Sequence, residues 1–353
     1  MVGEDRYPRD GALGVESGVV DVGGWVAPGM ELVYERGTPA FRGQWPQIES
    51  LLDLAPPRLG QGDWAHPPLE LPEAPSRRAR PDAWSLPAGN AGPPVPQGVL
   101  HDNSAARVAA LDDAGVALQL ISPGPSIDAC LELPSNLAGG LFSAYNRYIA
   151  AYCHHHPQRL GAVLQLHGSE PCWSAQEVAE LRDEPSVRAV SICLAVQNPS
   201  DTGAHARSQL DPLWEALEQA GLPLLHRPSF CVPDWGPDRL LAYLREAGVL
   251  DRYPGLRVGF LAGDSDRSAV EVTGSVDGDL GARLFAAASA PQLERGCDSA
   301  EPILWASDYP LRGSLRAQLA LARRALGQRA REVLVVAPRR FLGEAPAVRM
   351  VAA

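Results

Sequence analysis

Side chains that bind anions or carry protons stand at the ends of short apolar segments in this sequence. His167 and His226 each end such a segment, and Asp308 follows two residues after another. Histidine exchanges protons near neutral pH, which suits it to acid–base catalysis. Arg227 adjoins His226, and its fork of N–H donors suits a carboxylate or a phenolate. A salt bridge at the rim of the fold is the competing role for this arginine.

The sequence contains no lysine, so all 31 of its basic residues are arginines. A Schiff-base lysine, a lysine general base and a carbamylated lysine that bridges two metal ions are therefore excluded. Arginine stays protonated and cannot replace lysine as a nucleophile. A binuclear, lysine-bridged hydrolase is ruled out on the same ground.

Eight short apolar segments alternate with stretches of helical periodicity. The pattern predicts an α/β fold, a (β/α)₈ TIM-like barrel whose site lies at the carboxyl ends of its strands. A doubly wound sheet fits the periodicity almost as well, but no segment leads into a nucleotide-binding glycine motif. The predicted strands are Gly18–Val22, Ala117–Ile121, Leu160–Leu166, Ala189–Leu194, Leu222–His226, Leu256–Leu261, Arg283–Ala288 and Ile303–Ala306.

We expect one barrel domain over residues 18–353, preceded by a leader of residues 1–17. Residues 28–103 are rich in proline, glycine and tryptophan and show no sustained period. They are interpreted as a long irregular N-terminal insertion that covers the mouth of the barrel. Trp45, Trp64 and Trp84 would anchor this cover.

Charge and apolar runs limit the classes of partner. The formal net charge is −11, which argues against nucleic acid and against a basic membrane-binding surface. There is no apolar run long enough for a membrane span and no apolar stretch typical of a signal peptide. The six cysteines are scattered without a CxxC pair, so we expect free thiols and a cytoplasmic location.

Six short motifs, in order, resemble the amidohydrolase-related family that includes aminocarboxymuconate semialdehyde decarboxylase and γ-resorcylate decarboxylase. The motif most similar to the family is Ile303–Pro310, with the sequence ILWASDYP. The resemblance covers about residues 18–21 and then residue 103 to the carboxyl terminus. The other five are AALDDAGVALQLISPGP from Ala109, the helix and strand from Asn146 to Ala162, Asp211–Pro223, Arg252–Val258 and Arg340–Arg349.

The resemblance implies a divalent metal held by two histidines of an HxH motif on the first strand, a histidine on the fifth and an aspartate on the eighth. The last two positions map onto His226 and Asp308, whereas the HxH positions fall on Gly23 and Trp25. Neither of these side chains can bind a metal. The acid–base position of the sixth strand falls on Ala262. The sequence therefore predicts no bound metal and no other cofactor.

The remaining site residues are assigned to substrate. His226 and Asp308 are either relics of the family's metal site or a metal-free catalytic pair, in which Asp308 orients His226 and raises its pKa. Trp25 is expected at the mouth, either stacking on a flat substrate or filling the space left by the metal. His167 and Arg227 are further substrate contacts, and Asp264 is the candidate substitute for the lost acid at Ala262.

Three functions remain open. The first is an enzyme that runs a metal-independent decarboxylation, dehydration, cyclisation or hydrolysis on a small aromatic or carboxylated metabolite. The second is an inactive homologue that supports an active amidohydrolase subunit, and the third is a ligand-binding barrel without turnover. We expect a homo-oligomer, or a hetero-oligomer with an amidohydrolase homologue. The arginine-, alanine- and glycine-rich composition suggests bacterial specialised metabolism.

Overall fold

The computed structural model describes residues 18–26, 28–52, 103–124, 127, 130, 133–193, 209–227, 236–261, 282–294, 302–310 and 314–344. Eight parallel strands are hydrogen-bonded in chain order, which confirms the predicted (β/α)₈ barrel. The strands are β1 (Val20–Val26), β2 (Leu118–Pro123), β3 (Leu160–His167), β4 (Val187–Cys193), β5 (Leu224–His226), β6 (Val258–Leu261), β7 (Leu284–Ala288) and β8 (Ile303–Trp305).

Helices surround this sheet and connect its strands. Gly115 and Gly221 end two of them in the left-handed conformation, which glycine adopts without steric cost. The described helices are α1 (Met30–Arg36), α2 (Pro39–Leu52), α3 (Ser104–Ala114), α4 (Ser135–His154), α5 (Pro171–Leu181), α6 (Asp211–Ala220), α7 (Pro237–Glu246), α8 (Val249–Arg252), α9 (Ala290–Glu294), α10 (Leu315–Leu326), a 3₁₀ turn (Gly327–Arg329), a π turn (Glu332–Val336) and α11 (Ala337–Phe341).

The strands bury both faces, as their nearly continuous apolar sequences predict. Side chains alternate between an inner cluster that fills the barrel and an outer cluster beneath the helices. Leu225 lies in the inner cluster, for example, whereas Leu224 lies in the outer one. This alternation decides which polar residues at the strand ends face the interior.

The amino-terminal end of the barrel is closed by the last helix. Phe341 of α11 packs against the inner cluster, with its ring 5.3 Å from that of Phe285. Gly259 lies against the same ring, where an added Cβ would be 3.0 Å from a Phe341 carbon. The opposite end, formed by the carboxyl ends of the strands, is therefore the end at which a ligand can enter.

The insertion is partly regular in the structure. Part of the segment predicted to be irregular forms the helices α1 and α2, and residues 53–102 lie outside the described residues. Phe41 and Trp45 of α2 are buried, and the Trp45 ring meets that of Phe41 edge-on at 5.6 Å. Phe41 also contacts α4 at Gly140. Tertiary packing of these aromatic residues stabilises two helices that the proline-rich composition did not predict.

The described helices include none with the length and apolarity that a membrane crossing requires.

Candidate functional site

The fifth strand brings an arginine, rather than a histidine, to the mouth of the barrel. His226 has the same orientation as Leu224, so it points into the layer between sheet and helices. Its ring is fully buried and meets the ring of its register partner Phe260 edge-on at 6.3 Å. The expectation that His226 faces a ligand at the mouth is thus at odds with its position. Arg227, one residue later, takes the inward position.

Arg227 reaches across the mouth to a strand that is not its neighbour. Its Nη2 donates a hydrogen bond to the carbonyl oxygen of Pro123, at a distance of 2.8 Å. Pro123 ends β2, and β2 is separated from β5 by two other strands. Only a side chain on the inner side can span this gap, because helices occupy the outer side. The guanidinium charge consequently lies among the carboxyl ends of the strands, and the half-buried side chain remains accessible.

The indole of Trp25 is fixed at two edges. Its Nε1 donates to the carbonyl oxygen of Asp308, at 3.2 Å, and the other edge packs on Gly124. A Cβ at position 124 would lie 2.7 Å from a ring carbon of Trp25, so only glycine fits there. The Trp25 side chain therefore lies between the ends of β8 and β2, with 9% of its surface exposed.

Position 23 offers no space for a side chain. An added Cβ would lie 2.5 Å from the Cβ of Ala306 and 2.7 Å from its Cα. Because the second contact is with backbone, a larger residue would push β8 away from β1. The register between β1 and β2 also shifts between Asp21 and Gly24. A bulge of this kind redirects the chain, and here it coincides with the close approach of the two strands.

Asp308 follows β8 in an unusual backbone conformation. Its φ is 55°, in the left-handed region that most residues other than glycine avoid. Its carbonyl oxygen accepts from Trp25, and the next residue, Tyr309, accepts from the Trp25 backbone N–H at 3.2 Å. These two hydrogen bonds connect the carboxyl end of β1 to the segment that follows β8. Non-glycine residues in this region often mark functional sites.

His167 ends β3, where its sequence position predicted it. Its Nδ1 accepts a hydrogen bond from the backbone N–H of Ser169, at 3.2 Å. A backbone amide can only donate, so Nδ1 is unprotonated and Nε2 carries the hydrogen. Burial lowers the pKa of His167, against a smaller opposing effect of Glu170. The ring is a neutral hydrogen-bond donor on the rim, 6.0 Å from the ring of Phe142.

A second polar cluster lies on the outer side of the barrel wall. The Asp21 carboxylate accepts hydrogen bonds from the backbone N–H groups of Gly23 and Ser307, from the Ser307 hydroxyl and from the Gln119 amide. Burial raises the pKa of the Asp21 carboxyl, whereas these hydrogen bonds lower it. All four donors come from β1, β2 and the end of β8. Asp21 therefore joins the strands where the barrel closes.

Arg107 of α3 completes this wall cluster, and the sequence analysis did not identify it. It is fully buried and donates to Gln119 Oε1 at 2.8 Å, to the carbonyl of Trp25 at 3.2 Å and to that of Tyr309 at 3.1 Å. Its guanidinium also lies 5.0 Å from the centre of the Tyr309 ring. The sequence offered one signal for this residue, an arginine within an apolar helical stretch. A buried arginine requires hydrogen-bond acceptors, so such a position predicts a polar cluster nearby.

One residue of the inner wall was also missed. Ser122 of β2 is an inward residue like Leu118 and Leu120, and it is 3% exposed. Its hydroxyl has no hydrogen-bond partner among the residues that the structure describes. Asp264 and Ala262, by contrast, lie outside the described residues, so the role predicted for Asp264 stays a prediction.

Those residues at the mouth that the structure describes do not fit a divalent metal ion. Position 23 has no side chain and no room for one, and the Trp25 indole only donates. The residue that follows β5, Arg227, is a cation, which repels a metal ion. Within the described ranges, no three histidine, cysteine, aspartate or glutamate residues form a group that could hold one. The arrangement of donors instead suits an anion.

The chain shares its fold with solved decarboxylase structures. No family model and no curated protein matches the sequence. The 5-carboxyvanillate decarboxylase of Novosphingobium aromaticivorans, complexed with manganese and 4-hydroxy-3-methoxy-5-nitrobenzoic acid, aligns with a TM-score of 0.57 and 14% identity, over 94% of this chain and 97% of that one. The Sphingomonas paucimobilis enzyme gives 0.56 and 14%, over 93% and 99%. Metarhizium anisopliae IDCase gives 0.54 and 15%, over 93% and 98%. At these identities the likeness establishes the barrel fold.

Proposed function

We propose that this protein is a divergent member of the amidohydrolase-related family that acts without a metal on a small aromatic or carboxylated molecule at the mouth of its barrel. The observation that carries the proposal is the inward position of Arg227, whose guanidinium crosses the mouth. A guanidinium there binds an anionic group directly, where the family resemblance implies a metal site. The fold shared with decarboxylases, two of which are named for aromatic acids, supports the substrate class.

The proposal gives several of the described residues a role in this site. Arg227 binds the anionic group, and the fixed Trp25 indole offers a flat surface for a ring. His167 donates a hydrogen bond from Nε2 at the rim. Asp308 is then the candidate for proton transfer, because His167 can accept a proton only by giving up its bond from Ser169. The reaction remains within the classes of decarboxylation, dehydration, cyclisation and hydrolysis, and His226 is left out because it faces outward.

The test combines metal analysis with ligand binding. We expect elemental analysis of the purified protein to find well under one divalent ion per chain. We expect neither EDTA nor added Mn²⁺ to change the thermal unfolding midpoint. Screening of aromatic acids by thermal shift should identify ligands that stabilise the wild type but not Arg227→Met. A stoichiometric metal whose removal abolishes ligand binding would contradict the proposal.

A second candidate is a ligand-binding or supporting barrel without turnover. Two features favour it: Ala306 leaves no room for a side chain at position 23, and the buried Trp25 indole fills space at the expected metal site. Mass spectrometry distinguishes the two functions. A ligand recovered unchanged after long incubation favours binding alone, whereas co-purification with a homologue that has an intact HxH motif favours the supporting role.

A further inference from the structure

The hydroxyl of Ser122 has a placement that the fold does not require. It is buried on the inner face of β2 and lacks a partner among the described residues. Burying such a group is unfavourable, and most buried hydroxyls in proteins are hydrogen-bonded. Ser289, a comparable buried serine that follows β7, illustrates the ordinary case, because its hydroxyl donates to Gln292 Oε1 at 2.9 Å. A ligand atom would give Ser122 the partner it lacks.

Three groups with complementary chemistry meet at the end of β2. Trp25 is the register partner of Ser122 on β1. Arg227 donates to the carbonyl oxygen of Pro123, the residue next to Ser122. A hydroxyl and a guanidinium both donate hydrogen bonds to the oxygens of an anion, and an indole contacts a flat ring.

We infer that Ser122 and Arg227 together hold the carboxylate of a planar aromatic acid whose ring lies against Trp25. This inference rests on the proposed function and adds Ser122 as a binding residue. It also assigns the role of that carboxylate. Loss of a carboxylate as CO₂ removes its negative charge, so a cation bound to it stabilises the ground state more than the transition state. The carboxylate held here is therefore retained, and the chemistry occurs at another group of the molecule.

Isothermal titration with three probes tests the ligand class. Benzoate carries both the ring and the charge, benzamide is its neutral analogue, and cyclohexanecarboxylate is charged but not flat. We expect benzoate to bind most tightly and benzamide to bind at least roughly tenfold more weakly, since hydrogen bonds to charged groups are the stronger ones. Equal affinity for benzoate and benzamide overturns the carboxylate assignment. Equal affinity for benzoate and cyclohexanecarboxylate overturns the role of the ring.

Variants of the serine test its role separately from that of the arginine. Ser122→Ala should weaken benzoate binding roughly tenfold without lowering the urea midpoint, because the lost hydroxyl has no partner in the free protein. Ser122→Thr should retain most of the affinity. Ser289→Ala is the matched control, with unchanged benzoate affinity. If Ser122→Ala binds like the wild type while Arg227→Met does not, the serine assignment fails and the proposed function stands.

Two further outcomes separate the inference from the proposed function. If Arg227→Met keeps the affinity of the wild type for every aromatic acid that binds, the proposed function fails as well. Incubation with salicylate labelled with ¹³C at its carboxyl group should release no labelled CO₂. Release above the protein-free blank would overturn retention of the carboxylate, whichever residues bind it.

Discussion

Two arginines on opposite sides of the barrel wall show how position determines the use of the same side chain. Arg107 lies outside the wall and is fully buried, and its guanidinium donates to three oxygens. Arg227 lies inside the mouth and is half-buried, and its guanidinium donates to the Pro123 carbonyl. The first arginine joins strands of the fold, whereas the second brings charge to the open end of the barrel.

The groups that surround the two arginines also differ. Gln119 links Arg107 to the Asp21 carboxylate, so the buried positive charge has a negative counterpart nearby. Burial lowers the pKa of Arg107, but guanidinium groups remain charged even so. Arg227 instead lies at the end of β2, where Ser122 and its register partner Trp25 stand. The groups around Arg107 therefore join strands of the fold, whereas Arg227 brings a positive charge to the mouth of the barrel.

Replacement of each arginine by methionine should give the largest contrast. Arg107→Met removes three hydrogen bonds to buried oxygens and leaves Asp21 without its linked charge. We expect the free energy of unfolding to fall by about 3–5 kcal/mol. Arg227→Met should change it by about 1 kcal/mol or less while abolishing binding of aromatic acids. Urea unfolding and titration of both variants provide the measurement, and equal losses of stability would contradict the contrast.

A glycine substitution tests the close contact between β1 and β8 at Gly23. Gly23→Ala places a Cβ against the backbone of Ala306, so we expect a loss of about 1–3 kcal/mol in the free energy of unfolding. Gly43→Ala is the matched control, because Gly43 lies in exposed α2 with no atom within 4 Å of the added Cβ. Gly43 itself is exposed, so Gly43→Ala should stabilise the protein by about 0.5–1 kcal/mol. A Gly23→Ala variant as stable as wild type would show that β8 can move away from β1.

The smallest expected effect is the contribution of His167, at the rim of the mouth, to the pH dependence of stability. The pKa of His167 is lowered in the folded protein. As the pH falls below about 6.5, His167 is therefore protonated in the unfolded chain before it is protonated in the folded protein. Stability should therefore decrease between pH 7 and pH 5. His167→Asn keeps an acceptor for the Ser169 N–H but cannot titrate, so its stability should decrease less, by at most about 1 kcal/mol. Parallel curves for the two proteins would mean that His167 does not contribute.

Most of the barrel could be predicted from local patterns. The eight apolar segments all became strands, and the glycines after α3 and α6 ended those helices. β3 ends at His167, as its sequence position indicated, whereas β1 extends beyond the predicted Val22 to Val26 and so includes Trp25. Arg107 was missed because its partners on β1, β2 and β8 are distant in the sequence. Ser122 was missed because a serine in an apolar strand carries no signal of its own until the opposite side of the barrel is known.

The sequence by itself determined the order of the elements, the absence of lysine chemistry and the presence of a glycine and a tryptophan at positions 23 and 25. Only the tertiary structure decided which of two adjacent residues, His226 or Arg227, faces the interior. Neighbouring side chains of a strand point to opposite faces, so an error of one position exchanges a core histidine for a residue at the mouth. Hydrophobic periodicity cannot resolve this at β5, since both faces of the strand are buried.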